Sequence, residues 1–551
     1  MKKTIMTGAS VLALSIAAPA AAQSNTSDVD QTGNANGATV SQSGSNTSDI
    51  DQTGDSNSAS NVQSGAGNSS TIDQDSFFGL ADVTQDGDSN VSTIDQDDPD
   101  TAPGQDGTTG VADFDPDATV SQIGNSNMSG ITQTIAAGGG FNQTARVTQT
   151  GDNNSSNIDQ NSDGPGYTGG LRAQVNQTGD ASSDIIQTGS NAGKNLNAYV
   201  TQDASTSNII QTASDASGQN PTAVARVNQS GGSLSNITQS LTGNLTSDLN
   251  ADVTQFNGAT SNITQRANGD ESVTQDAIVT QDGASTSNIT QTFDNDGSSN
   301  FMATVNQNGS GNLSNVTQRD EGFGVIGNAD GGLVADVNQT GDDNTSALVQ
   351  ENKSAFADID QTGDSNIVDA FQGTAGNDLT VLQSGDANTS NSLQLGLNNS
   401  ANVTQDGIGA TSTIDQTGRN DSAFVEQLAG SDGSTSLITQ LGDVSGDRSE
   451  NSATVSQSGA LNVSELTQSG FNSTADVLQS GSGNTSRLSQ NGTVDGFGNT
   501  ADVNQLGNDN LSDIAQDGSG NSATVTQNSD ANTSYVNQNG NGNTASVTQG
   551  M

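Results

Sequence analysis

The sequence predicts an all-β protein, a two-sheet β-solenoid of stacked 22-residue strand-turn-strand repeats, cross-β and amyloid-like in plan. Three observations predict it. Glutamine returns every 11 residues at Gln505, Gln516, Gln527, Gln538 and Gln549. Two positions before each stands a branched apolar residue, Val503, Ile514, Val525, Val536 and Val547, and four positions before stands Ala or Ser. Glycine-bearing segments such as Asp517-Gly518-Ser519-Gly520 separate these runs. Positions of one parity on an extended strand share a face. Asn510, Asn521, Asn532 and Asn543, six before the last four glutamines, extend that face. One arm is therefore N-x-[AS]-x-[VI]-x-Q, a strand of about seven residues closed by a turn.

Composition excludes most other folds. Only 29% of the 551 residues are hydrophobic and 3% aromatic, so a conventional core is out of reach. A charge of −50 with so few apolar residues also suits a disordered acidic chain. Such a chain has no reason to return Val or Ile to one phase over hundreds of residues. Twelve basic residues against 62 acidic ones disfavour nucleic acid and anionic membrane as partners. The absence of cysteine and histidine removes disulfides, thiol nucleophiles, imidazole bases and the usual zinc sites.

Residues 1–22 have the layout of a secretory signal peptide: Lys2 and Lys3, an apolar run from Ile5 to Ala18, then Pro19-Ala20-Ala21-Ala22. Cleavage is expected between Ala22 and Gln23. The apolar run is shorter than the roughly 20 residues that span a bilayer, and no later segment comes near that length. The expectation is an exported chain without a transmembrane segment.

Residues 23–551 form the repeat region. Anchors begin at Gln31, Gln42, Gln52, Gln63, Gln74, Gln85 and Gln96 and number 42 to the end, which predicts about 21 two-arm coils. Arms alternate: Ala38, Val40 and Gln42 are followed by Ser48, Ile50 and Gln52. Long spacings fall almost wholly after serine arms, as from Gln96 to Gln122 or from Gln318 to Gln339, so insertions gather on one edge. The step from Gln427 to Gln440 is the clear exception. A proline-bearing acidic stretch from Asp97 to Asp117 reads as an exposed loop. Val368, Leu379 and Ser392 break the pattern between Asn366 and Asn399, which predicts weaker coils there.

Stacked in parallel, Val and Ile form an apolar stripe, Ala and Ser let the sheets approach, and Gln and Asn form amide ladders. A ladder gives each inward amide partners above and below. At about 4.8 Å per coil the predicted rod is on the order of 100 Å long.

The carboxylates, such as Asp28, Asp30, Asp49 and Asp51, fall on outward positions and read as solubilising groups that restrain sheet pairing. Loose divalent-cation binding by such rows is the functional alternative. The calcium-binding G-G-x-G-x-D nonapeptide is not repeated, and the glycines after glutamine match no phosphate loop. No catalytic, cofactor or metal residue is therefore assigned.

The pattern Q-x-G-x-x-N-x-[AS]-x-x-x-Q, present from Gln52 to Gln63 and from Gln516 to Gln527, resembles the curlin repeat of curli fibre subunits. The resemblance covers nearly all of the region after residue 22. It implies secretion by a Gram-negative bacterium and polymerisation at the cell surface into amyloid fibres for adhesion and biofilm matrix. It also implies a nucleator subunit and an outer-membrane secretion channel as partners, and a structural role for Asn510, Gln516, Asn521 and Gln527. The repeat pattern starts soon after the cleavage site and runs to Gln549, which predicts open strand edges and self-association by end-to-end stacking. The alternative is a monomeric or surface-associated solenoid adhesin binding through its insertion loops. A polysaccharide-cleaving enzyme would need carboxylates and aromatics gathered in one place, whereas the 3 tyrosines and 13 phenylalanines are scattered.

Overall fold

A computed structural model of the chain describes residues 24–98, 116–136, 142–163, 170–190, 195–214, 222–243, 246–269, 272–294, 299–320, 332–351, 354–442, 449–492 and 497–550. The cleavage site at Ala22 and Gln23 and most of the acidic stretch between Asp97 and Asp117 lie outside these residues. Every helical or strand element among the described residues is a strand, 40 in all. The protein is a parallel β-solenoid, and it divides into two compact units, 1–276 and 277–551.

Within each unit every arm pairs with the arm one full coil later. In the second unit Thr500–Gln505 lies on Ser522–Gln527, which lies on Thr544–Gln549, while Leu511–Asp517 lies on Thr533–Asn539. Glutamine meets glutamine, Val meets Val or Ile, and Ala or Ser meets its like. In the first unit Asn142–Thr150, Gly170–Thr178 and Asn195–Asp203 stack in the same way. A parallel neighbour cannot be reached through a tight hairpin, so the intervening arm serves as the crossover. Alternating side chains then put one set of residues inside: Ser522–Gln527 reads half-buried, buried, half-buried throughout. Ile50, Ile72, Ile158, Val503, Ile514 and Val525 are fully enclosed. Each such side chain contributes roughly 1.5–3 kcal/mol of burial.

Arm length departs from seven residues. Gly37–Thr53 and Ser58–Asp75 run through two arms as single strands of 17 and 18 residues. From Asn142 to Asp203 the strands have nine residues, and on the alanine arms there the ladder asparagine gives way to larger inward groups, Gln143, Leu171 and Leu196. In the second unit Phe293 and Phe301 occupy the equivalent edge and meet edge to face with ring centroids 6.3 Å apart. The insertion-rich edge therefore carries an apolar annex that the repeat pattern omits.

The arms expected to be weak keep full register. Ile367–Gln372 pairs residue for residue with Thr345–Glu351 and with Thr389–Gln394. Large and small side chains exchange places instead: Val368 takes the serine position and Ala370 the isoleucine position, and both are buried. One earlier arm shows a different substitution. Gln63 and Ala59 fix its phase, so Asn61 is buried at the valine position and Val62 is turned outward at 41% exposure.

Two turn glycines separate backbone need from habit. Gly518 has φ +117°, and a Cβ there would stand 2.2 Å from the Gly540 carbonyl oxygen of the next coil. Gly409 has φ +65° and open space around it. Gly518→Ala should therefore cost more than about 1 kcal/mol, whereas Gly409→Asn, which suits the left-handed region, should cost a few tenths. Denaturant unfolding of the two variants checks this, and equal losses would contradict it.

Candidate functional site

The coil interior is the most specialised surface of the molecule. In the second unit the side-chain amide of Gln307 donates to Gln339 Oε1, and the chain of donors continues through Gln361, Gln383, Gln405, Gln427, Gln457, Gln479, Gln505 and Gln527 to Gln549 at 2.7–2.9 Å. The serine arms carry a second ladder in which Gln490 donates to Gln516 and Gln516 to Gln538. In the first unit Gln31 donates to Gln52 and Gln42 to Gln63. Each donation shown here runs from the earlier coil to the later one.

The second amide hydrogen ties the two sheets together. Gln516 donates to the Thr500 carbonyl at 2.9 Å, Gln527 to Leu511 at 3.0 Å and Gln538 to Ser522 at 2.8 Å, each on the opposite arm. A buried primary amide has two donors and one acceptor oxygen to satisfy, and this arrangement employs all three.

Asparagine closes the turns. Asn510 Oδ1 accepts the backbone N–H of Asn532, and Asn521 Oδ1 accepts that of Asn543. Asn499 Nδ2 reaches the Gly518 carbonyl of the following turn at 3.0 Å. At the outer turn, Asp and Asn oxygens take the N–H of the preceding coil, as Asp364 does from Asp342 and Asp530 from Asn508.

Gln52, Gln63, Gln505, Asn510, Gln516, Asn521, Gln527 and Gln538 are buried. Gln31, Gln42, Asn532 and Gln549 are half-buried, and Asn543 is exposed. On the apolar stripe, Ile50, Val503, Ile514, Val525 and Val536 are buried, whereas Val40 and Val547 are half-buried. The decline in burial follows the strands that have a neighbour on one side. Among the described residues, Thr26–Thr32 pairs only with the coil after it, and Thr533–Asn539 and Thr544–Gln549 only with the coil before them.

Asn61 and Asp421 are among the buried polar residues that the repeat did not single out. Asn61 donates to Ser48 Oγ at 2.7 Å across the interior. Asp421 stands in the asparagine column between Asn399, whose Oδ1 takes its N–H, and Asn451, whose N–H it accepts at 2.8 Å. Burial pushes its carboxyl above the usual carboxylate range, and hydrogen bonds from Ser449 and Asn451 only partly oppose this. The signal was legible: Asp replaces Asn at the sixth position before Gln427.

Among the described residues no three acidic side chains converge as a metal site would require, and no helix is long and apolar enough to cross a membrane. What the fold and its interior define is a solenoid held together by amide ladders. Four stretches, 374–407, 449–477, 496–528 and 518–550, match the family model of the curlin associated repeat. These four stretches, all in the second unit, are similar to the curlin associated repeat. No curated protein matches the chain closely enough to count as a relative.

Gln516→Ala breaks both ladder links at once, leaving the Gln490 donor and the Gln538 acceptor oxygen unmet in the interior. It should lower stability by about 1–3 kcal/mol beyond an outward control such as Thr524→Ala, measured by denaturant unfolding. Asp421 gives the opposite sign. Its folded pKa is raised, so the folded state binds the proton more tightly and the ionised carboxylate costs stability at neutral pH. Asp421→Asn should stabilise at pH 7 by about 1 kcal/mol. The gain should shrink as pH falls through the folded pKa, and a gain independent of pH would contradict this account.

Proposed function

We propose that this chain is a secreted structural subunit that assembles end to end into extracellular curli-like amyloid fibres serving cell adhesion and biofilm matrix. The observation that carries the reading is the direction of the ladders, in which anchor glutamines donate to their counterparts one coil on. Gln538 and Gln549 stand where donors continue, and Gln31 and Gln42 stand where acceptors begin. A second copy laid beyond Gln549 would set its serine arm Thr26–Thr32 on the serine arm Thr533–Asn539. Its Ala38 arm would fall on Thr544–Gln549, so the alternation of arms passes through the joint without a break. Open strand edges of this kind are templates for further pairing. The repeat family supports self-assembly of this type. A nucleator subunit and an outer-membrane channel belong to the same reading, as does removal of residues 1–22 on export. The role in this reading is structural, supported by an interior that, among the described residues, is given over to amide ladders.

Fibre X-ray diffraction of the chain lacking residues 1–22 tests the reading. Reflections near 4.7 Å along the fibre and near 10 Å across it are expected. A chain that stays monomeric with a stable β-sheet circular dichroism spectrum would shift the assignment to an adhesin acting through its insertion loops. A random-coil spectrum would sink both.

A further inference from the structure

The outer faces of the first unit are not uniformly acidic. On the serine-arm face Asp30, Asp51, Asp73 and Asp95 stand in one column, each in register with the next. Asp75 and Asp97 are paired in the column beside them. All six are exposed. Burial and the repulsion of Asp95 and Asp51 hold the Asp73 carboxyl above its usual range, which reflects a column short of counter-charge.

The opposite, alanine-arm face differs over four consecutive coils. Arg146, Gln174, Tyr199 and Arg226 form one column, in register throughout. Arg172 stands in the adjoining column between Thr144 and Asn197. No outward residue on these four arms between that column and the anchor glutamines is acidic, and the nearest carboxylates are Asp117 before and Asp252 after. Asp117 feels the Arg146 charge, yet the three guanidiniums remain exposed. Three of the chain's 12 basic residues are thus concentrated here. A hollow of about 290 Å³, lined by Thr144, Arg172, Asn195 and Asn197, lies beside the Arg172 side chain.

We propose that two copies of this chain associate side by side, with the arginine face of one seated on the aspartate face of another; this rests on the fibre reading above. Charge complementarity selects the occupant, and the shared fold supplies the fit. Both columns belong to the same solenoid and so advance by the same coil rise, about 4.8 Å. Arg146 and Arg226 are three coils apart, as are Asp30 and Asp95, so the two columns match without adjustment. The hollow beside Arg172 accepts one carboxylate side chain. Because the joined faces differ, the contact is heterologous and repeats from copy to copy instead of closing in a dimer. Its product is a bundle of parallel filaments.

The test uses the full chain after export processing and electron microscopy of its filaments at low salt. Wild-type filaments should lie in bundles that separate toward 1 M salt, where screening contracts to about 3 Å. The Arg146→Glu, Arg172→Glu and Arg226→Glu triple variant should leave filaments single, with bundling reduced at least about tenfold, the factor that 1.4 kcal/mol represents. The Asp51→Arg, Asp73→Arg and Asp95→Arg triple variant should do the same, and mixing the two should restore bundles. Unchanged bundling in either variant overturns the proposal, as do wild-type filaments that stay single. Binding of polygalacturonate that the arginine variant loses while bundling persists would overturn it too, and would assign the face to acidic polysaccharide. If wild type forms no filament at all, the fibre reading itself fails. Sedimentation velocity then decides the lateral contact, which is refuted if wild type and the arginine variant both run as monomers.

Discussion

A buried glutamine amide must find partners for two N–H groups and an oxygen, and the rest of the structure follows from how this chain meets that demand. The oxygen and one hydrogen are satisfied by identical residues one coil away, and the other hydrogen by the facing sheet. That solution works only if successive coils keep the same register and the same parity at their glutamines. It fixes parallel pairing, because antiparallel neighbours would bring glutamine against asparagine. It also fixes the close approach of the two sheets, because the amide must reach a backbone carbonyl on the facing arm. The strength of the constraint is visible at Gln63, where Val62 is surrendered to solvent and Asn61 drawn inside so that the glutamine keeps its place.

The same demand explains where the chain tolerates change. Inward positions two and four before glutamine accept Val368 with Ala370 in place of Ser with Ile, since total volume matters more than which position is larger. The sixth position before glutamine is freer still. It holds asparagine in many arms, Ala181 or Ser205 in others, and Leu171, Leu196 or Phe301 where the arm is lengthened. Asp421 is the costly case, an acid placed in a column that asks for an amide.

Fold and interior were legible because period 11 and period 2 coincide on the same residues, so Ile514, Gln516 and Asn521 announce both strand and face. The apolar annex around Phe293 and Phe301 was not, because it interrupts the repeat and its partners come from arms of different type. The strands that run unbroken through Ser43 to Asn46 and Ser64 to Asn68 were hidden for a related reason: turn-forming residues stand there, but pairing with the next coil extends the ladder across them. The arginine face was invisible for a third reason. Arg146, Arg172 and Arg226 are 26 and 54 residues apart in sequence, and only the coil spacing set by the insertions brings them onto adjoining columns.

A solenoid with a uniform interior has only its exterior with which to be individual. Its ladders run one way, from donor to acceptor, so each unit carries a direction along its stack that its apolar stripe alone would not supply. Its outward positions are free of the interior's demand, and the charges on them vary from coil to coil. Ladder and surface therefore act at right angles: the first sets the pairing of coils along the stack, the second the charge of the faces beside it. Because an amide ladder cannot absorb a slip of one residue without turning its glutamines to solvent, the outward columns inherit its register. That inheritance is what allows a few charges, spaced far apart in sequence, to present themselves as an ordered face.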